Sequence, residues 1–357
     1  MTNRTPLTGP CVWQGKDIKD STRWIRQLSP AHVAELESAL TAVKDTPWQE
    51  IKRADFPLSS LDDLLADIRD ELENGCGIMK LKGFPVENHS EDDLRRLYWG
   101  LGTHLGTPVF QNRSGELMRA IRDEGAHVGR TYGQTKDAKG GTFLSSYART
   151  LTNGGLRFHT DRTDVVGLLC VRQAMKGGVS TLASTPAIHN AILAKRPDLL
   201  DALFTDYWRS RFGEEGTGKD GSSTTRATAY PLPIFGVRDG KFTSHYSLTF
   251  IEAAQLADDI PKLTPAQKEA IDVLMATAQE LCFEMTLEPG DLQLINSHVT
   301  YHGRTPFEDD ADSGHDRLLL RLWLSMPNNR ALPEGHEVLW RSIEANKVRG
   351  GIAQVAI

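Results

Sequence analysis

The stretch that most constrains this chain runs from Gly154 to Gly178, where the tripeptide His159-Thr160-Asp161 precedes a strand-like apolar run, Val165 to Val171, that ends near a Gly-Gly pair. If His159 to Asp161 is extended, side chains two apart share a face and lie roughly 7 Å apart at the backbone. An imidazole and a carboxylate so placed can grip one metal ion. Two protein ligands do not hold a transition metal firmly, so a metal reading demands a third ligand from elsewhere. Without it, Asp161 is a turn or cap residue and His159 a core imidazole.

The 357-residue chain is long enough for one large domain or two ordinary ones. Its 39% hydrophobic and 25% charged residues are those of a soluble globular protein. A net charge of −6 argues against a nucleic-acid surface. Cys11, Cys76, Cys170 and Cys282 are far apart with no C-x-x-C pair, so a disulfide framework is not expected and a reducing cytoplasm is. The N-terminus lacks an apolar signal core, and no apolar run approaches a membrane span.

Residues 1–27 read as irregular, anchored by Trp13 and Trp24. Ser29-Pro30 opens a helix with Val33, Leu36, Leu40 and Val43 at helical spacing. A second helix is expected from about Ser60 to Glu73, a half-buried strand at Gly77–Gly83, and a third helix from Ser90 to the Gly106-Thr-Pro108 stop. Strands are expected to predominate from Met118 to Val171, followed by a helix at Thr185–Phe204 that Pro197 breaks. Residues 213–228 carry almost no apolar side chain and read as a surface loop, either a lid or an inert insertion. Strands return from Tyr230 to Phe250 with a hairpin turn at Arg238–Lys241, and Thr264-Pro265 opens a helix reaching Leu281. Strands at Cys282–Leu287, Leu292–Asn296 and Asp316–Ser325 complete the chain. Early helices and later strands indicate an α+β chain around a β-sandwich or barrel.

Two histidines compete to be the third ligand, His298 and His302. In one extended segment they share a face. His302 is favoured because Gly303-Arg304-Thr305-Pro306 reads as a tight turn holding the ring at a strand end, with His298 in the core or behind the ligands. Two imidazoles and one carboxylate form the facial triad typical of non-haem Fe(II), with three positions left open. The rival carboxylate, Asp164, is out of step with Asp161 and should face away. Arg317 opens a strand otherwise made of Leu and Trp, where a charge needs a partner.

His159-Thr-Asp161, Gly177-Gly-Val-Ser180, Pro289-Gly-Asp291, Asn296…His302-Gly-Arg304 and Arg317-x-x-x-Arg321, in that order, resemble the taurine dioxygenase (TauD/TfdA-like) family of Fe(II)/2-oxoglutarate-dependent oxygenases, on a clavaminate synthase-like plan. The resemblance spans roughly residues 75 to 350. It implies a double-stranded β-helix (jelly roll) core with flanking and inserted helices, in a single oxygenase domain. In that plan residues 1–75 are a helical part packed on the core 76–330, and 331–357 a C-terminal tail. It implies Fe(II) on His159, Asp161 and His302, with 2-oxoglutarate and O₂ as cosubstrates. Arg317 then clamps the far carboxylate of 2-oxoglutarate, which a guanidinium does with two parallel hydrogen bonds. Ser180, or Thr181 in its place, assists.

Arg321 shares Arg317's parity and in the family meets an acidic group on the prime substrate; the bland competitor is an internal ion pair with Asp291 or Glu284. Arg304 reads as a solvent-facing turn residue, Asn296 as a loop holder, and Trp323 and Phe158 as core. The expected activity is hydroxylation of a small amino acid or other carboxylic acid with release of succinate and CO₂. Alternatives are a sulfonate or sulfate dioxygenase of taurine type, a biosynthetic desaturase or cyclase, a zinc hydrolase on the same ligands, and a non-catalytic iron or 2-oxoglutarate sensor. Only a small-molecule partner is expected, with self-association left open.

Overall fold

The Val165–Arg172 strand lies at the centre of the larger of two main sheets in the computed structural model, which describes residues 4–212 and 228–352. Apart from Thr228, the polar 213–228 stretch lies outside the described residues. The larger sheet runs Ile25–Gln27, Ile78–Lys82, Leu292–Asn296, Val165–Arg172, Leu318–Ser325, Thr107–Pro108, with Met118–Ile121 also paired to Leu318–Ser325. The smaller sheet runs Phe283–Met285, Ser180–Ser184, Thr300–Arg304, Leu156–His159. From Leu156 to Ser184, and again from Phe283 to Ser325, the chain passes back and forth between the two sheets.

Side-chain alternation along Leu318–Ser325 sorts two environments. Leu318, Leu320, Leu322 and Leu324 join a core with Leu36, Leu65 and Leu97 from the helices Pro30–Ala42, Asp62–Glu73 and Glu91–Leu105. The odd positions turn the other way. Leu319 packs between the sheets with Ile78, Cys170, Leu182, Phe283 and Ile295, and Arg321 and Trp323 share its face. A third core, around Ile188, Leu200, Leu274 and Tyr301, seats the helices Thr185–Lys195, Pro197–Leu203 and Pro265–Leu281 on the smaller sheet.

Local chemistry sets most helix boundaries where the sequence placed them. Ser29, Ser90 and Thr264 accept hydrogen bonds from the backbone N–H three residues on, and Pro30 and Pro265 sit in the first turn. Pro197, lacking an N–H, separates two helices. The Arg238–Lys241 hairpin turns on Asp239 and Gly240, both with positive φ.

Other expectations need correction. Short helices at Val128–Tyr132 and Ser146–Thr150 interrupt the 118–171 strands, the second capped by Ser145. Leu248–Gln255 is helical where strand was expected to continue. Ile25–Gln27, within the irregular N-terminal stretch, is a strand parallel to Ile78–Lys82. It is held there as Trp13 and Trp24 pack on the Phe283 ring, at 5.6 and 5.5 Å between centroids. Among the described residues no helix is long and apolar enough to cross a membrane.

Candidate metal centre and adjoining cavities

Strand pairing brings the two outer histidines together. His302 and His159 are direct cross-strand partners, and their rings lie 4.2 Å apart between centroids. Asp161 follows two residues after His159. One ligand atom from each of His159, Asp161 and His302 lies within 4.8 Å of the others. His302 is not at a strand end before a turn: Gly303 and Arg304 continue its strand, with a bulge in its pairing to Leu156–His159. Gly303 is there for close approach, since a Cβ would come within 2.7 Å of the Leu156 carbonyl oxygen.

The protonation states suit a divalent cation. His159 Nδ1 donates to the Arg157 carbonyl at 2.9 Å, which turns Nε2 toward Asp161, 3.8 Å away. Burial, and then the neighbouring His159, push His302 down to about 3, so its ring is neutral. Burial alone would raise the Asp161 carboxyl, but Arg321, the two imidazoles and the Trp323 indole outweigh it and hold it below the usual carboxylate range. Two imidazoles and a carboxylate on one side of a cavity are the donor set that divalent iron takes. The residues present therefore fit the metal.

His298 belongs to another network. Asn296–Val299 is a turn, so His298 and His302 are not on one extended segment and the shared-face argument does not hold. His298 Nε2 lies 3.0 Å from Asp164 and Nδ1 2.8 Å from the Thr243 hydroxyl, both deep in the core. Asn296 holds that turn, accepting from the His298 N–H and donating to the Leu72 carbonyl. Asp164 is not with Asp161, although strand parity is not the reason, because residues 162–164 bend between the Leu156–His159 and Val165–Arg172 strands. It accepts from the Met326 N–H, Asn329 and Arg349. Its carboxyl is held at about 2: burial pushes it up, and hydrogen bonds with His298 and Asn329 and the Arg349 charge prevail.

On one side of the His159, Asp161 and His302 side chains lies a cavity lined by Ser180, Gln293, His302, Arg304, Arg317 and Arg321, among others. Arg317 is buried with Nη1 unpartnered, and burial pushes its guanidinium down to about 10. Gly178 lets the chain cross over it: φ is +67°, and a Cβ would sit 2.9 Å from Arg317 Nε. Ser180 is buried on this cavity, whereas Thr181 is half-buried and off it. Arg304 is a correction. Rather than facing solvent, it is buried beside Arg317, donates to the Thr152 and Gly154 carbonyls, and keeps Nε and Nη1 unpartnered. Burial and the Arg317 charge push it down to about 9. Gln293 went unnoticed in the sequence, although an amide at an inward position of an apolar strand is a legible signal.

On the other side, a cleft is lined by Asn112, Tyr147, Asp161, Arg321 and Trp323, among others. Arg321 turns inward as expected, but its partners are neither Asp291 nor Glu284. Its Nε donates to Gln111 at 2.7 Å, Nη1 lies 3.7 Å from Asp161, and the guanidinium sits 5.0 Å from the Trp323 ring. Asp291 instead faces Lys80 at 3.5 Å, and Glu284 is exposed. Trp323 is more than core, since its indole N–H donates to Asp161 at 3.1 Å; Phe158 is core.

Residues 22–323 match the family model described as taurine catabolism dioxygenase TauD, TfdA family. The chain is 32% identical over 340 residues to FR-33289 synthase of Streptomyces rubellomurinus (strain ATCC 31215), covering 92% of this chain and 93% of that protein. Clavaminate synthase 2 of Streptomyces clavuligerus is 26% identical over 288 residues, covering 72% of this chain and 77% of that protein. In fold, the chain is similar to asparagine oxygenase in complex with Fe(II), 2S,3S-3-hydroxyasparagine and succinate. That likeness has a TM-score of 0.61 at 17% identity, over 85% of this chain and 93% of the other. With the family's matched span covering most of the chain, this protein belongs to the TauD/TfdA family and is an Fe(II)- and 2-oxoglutarate-dependent dioxygenase.

Proposed function

We propose that this dioxygenase hydroxylates a small amino acid or other carboxylic acid, with His159, Asp161 and His302 as iron ligands and Arg317 and Ser180 holding the far carboxylate of 2-oxoglutarate. The observation that carries the reading is the convergence of two imidazoles and a carboxylate beside a cavity containing the buried, partly unpartnered Arg317. The alternation of the chain between two sheets supports a double-stranded β-helix core, within a single domain that includes the N-terminal helices and the C-terminal segment.

Iron with 2-oxoglutarate and O₂ supplies an oxidant able to take hydrogen from an unactivated C–H bond, with release of succinate and CO₂. The chain's own groups do the positioning. The Arg157 carbonyl fixes the donor nitrogen of His159, and the Trp323 N–H orients Asp161. Arg321, on the cleft wall, presents the cation that an acidic substrate group needs. The hydroxylated amino acid and succinate named with asparagine oxygenase support the substrate class.

The test is a screen for substrate-dependent succinate release across amino acids, other carboxylic acids and sulfonates, under Fe(II) and O₂. Turnover confined to sulfonates would overturn the carboxylic-acid reading. Metal-dependent hydrolysis with zinc and no oxygen uptake would overturn the assignment of the three ligands to iron.

A further inference from the structure

Gln293 occupies a position where the alternation of its strand calls for an apolar side chain. Leu292 and Leu294 point into the helix-side core, and Ile295 packs between the sheets; Gln293 turns toward that same inter-sheet space. It is 1% exposed, and neither Nε2 nor Oε1 has a partner. A buried amide with both ends unsatisfied is costly, whereas a leucine would fill similar volume without that cost.

The surroundings indicate what satisfies it. Gln293 lines the same cavity as Ser180, His302, Arg304 and Arg317. The unmet groups on those arginines are all donors: Arg317 Nη1 and Arg304 Nε and Nη1. A cavity with surplus N–H groups on two buried guanidinium groups is built for an anion with several acceptor oxygens. Gln293 also sits in register, through Leu168, with Arg321 across the larger sheet, about 10 Å away at the backbone. That places it on the wall of the cavity at the level of the metal ligands.

We propose that Gln293 is a 2-oxoglutarate-binding residue, its Nε2–H donating to a cosubstrate oxygen while Oε1 accepts from a donor in the cavity. This rests on reading the cavity as the 2-oxoglutarate site, and the test separates the two. Binding of 2-oxoglutarate to the Mn(II)-loaded protein is measured by calorimetry for wild type, Gln293→Leu, Gln293→Met and Arg317→Ala, with Mn(II) affinity and the thermal midpoint of the metal-free protein alongside. Gln293→Leu and Gln293→Met should weaken 2-oxoglutarate binding roughly tenfold or more, the loss expected for a hydrogen bond to a charged group. They should leave Mn(II) affinity unchanged and the midpoint equal or higher, because an unsatisfied amide has been removed. Wild-type 2-oxoglutarate affinity in both variants, with binding lost in Arg317→Ala, would overturn the role of Gln293 alone. Unchanged affinity in Arg317→Ala would overturn the cavity assignment itself. A lowered midpoint with unchanged 2-oxoglutarate affinity would make Gln293 a structural residue.

Discussion

Arg349 offers the sharpest test of how the fold supports the Asn296–Val299 turn that precedes the His302 strand. It is fully buried, with Nε donating to Asp164 at 2.8 Å and Nη1 to the Arg330 carbonyl at 2.6 Å. Arg349→Met keeps an unbranched stem and removes the charge. Deleting one partner of a buried pair leaves the other uncompensated, typically at a cost of about 3–5 kcal/mol. Asp164 would still accept from the Met326 N–H at 2.9 Å and Asn329 at 2.7 Å, which places the loss near the lower figure. At about 2 °C per kcal/mol for a chain of this size, the midpoint should fall by roughly 6 °C in scanning calorimetry. Adding Asp164→Asn removes the orphaned charge, so the double variant should lose less than the sum of the two singles. Strict additivity, or a loss in Arg349→Met below about 1 kcal/mol, would refute the claim that this pair is a coupled buried unit.

The site yields three further expectations. His159→Ala, Asp161→Ala and His302→Ala should each lose iron by metal analysis while staying folded; loss of iron in a folded His298→Ala with retention in His302→Ala would reverse the assignment. Arg317→Lys keeps the charge but not the two-pronged geometry, so 2-oxoglutarate affinity should still drop at least tenfold, and an unchanged titration would dismiss the clamp. Arg321→Ala should raise the substrate KM while uncoupled 2-oxoglutarate turnover survives. Because Arg321 lies 3.7 Å from Asp161, a loss of iron affinity with unchanged KM would instead make it a support for the ligand.

By itself the sequence determined the elements whose chemistry is local: the Ser29, Ser90 and Thr264 caps, the break at Pro197, the Asp239-Gly240 turn, and the alternating faces of the Leu318–Ser325 strand. It also carried the ordered motifs from His159 to Arg321 that mark the family, because ligands and anion clamps demand particular side chains at particular spacings. Tertiary structure alone decided which polar groups face each other. The turn at Asn296–Val299 removes His298 from the His302 strand and seats it on Asp164. Trp323 and Arg321 meet Asp161 from 162 and 160 positions away, and Arg304 is buried because the Thr152 and Gly154 carbonyls come to meet it. Parity along a strand says which face a side chain takes. The partner on that face comes from a chain segment distant in sequence, and only the packing of one sheet against the other selects it.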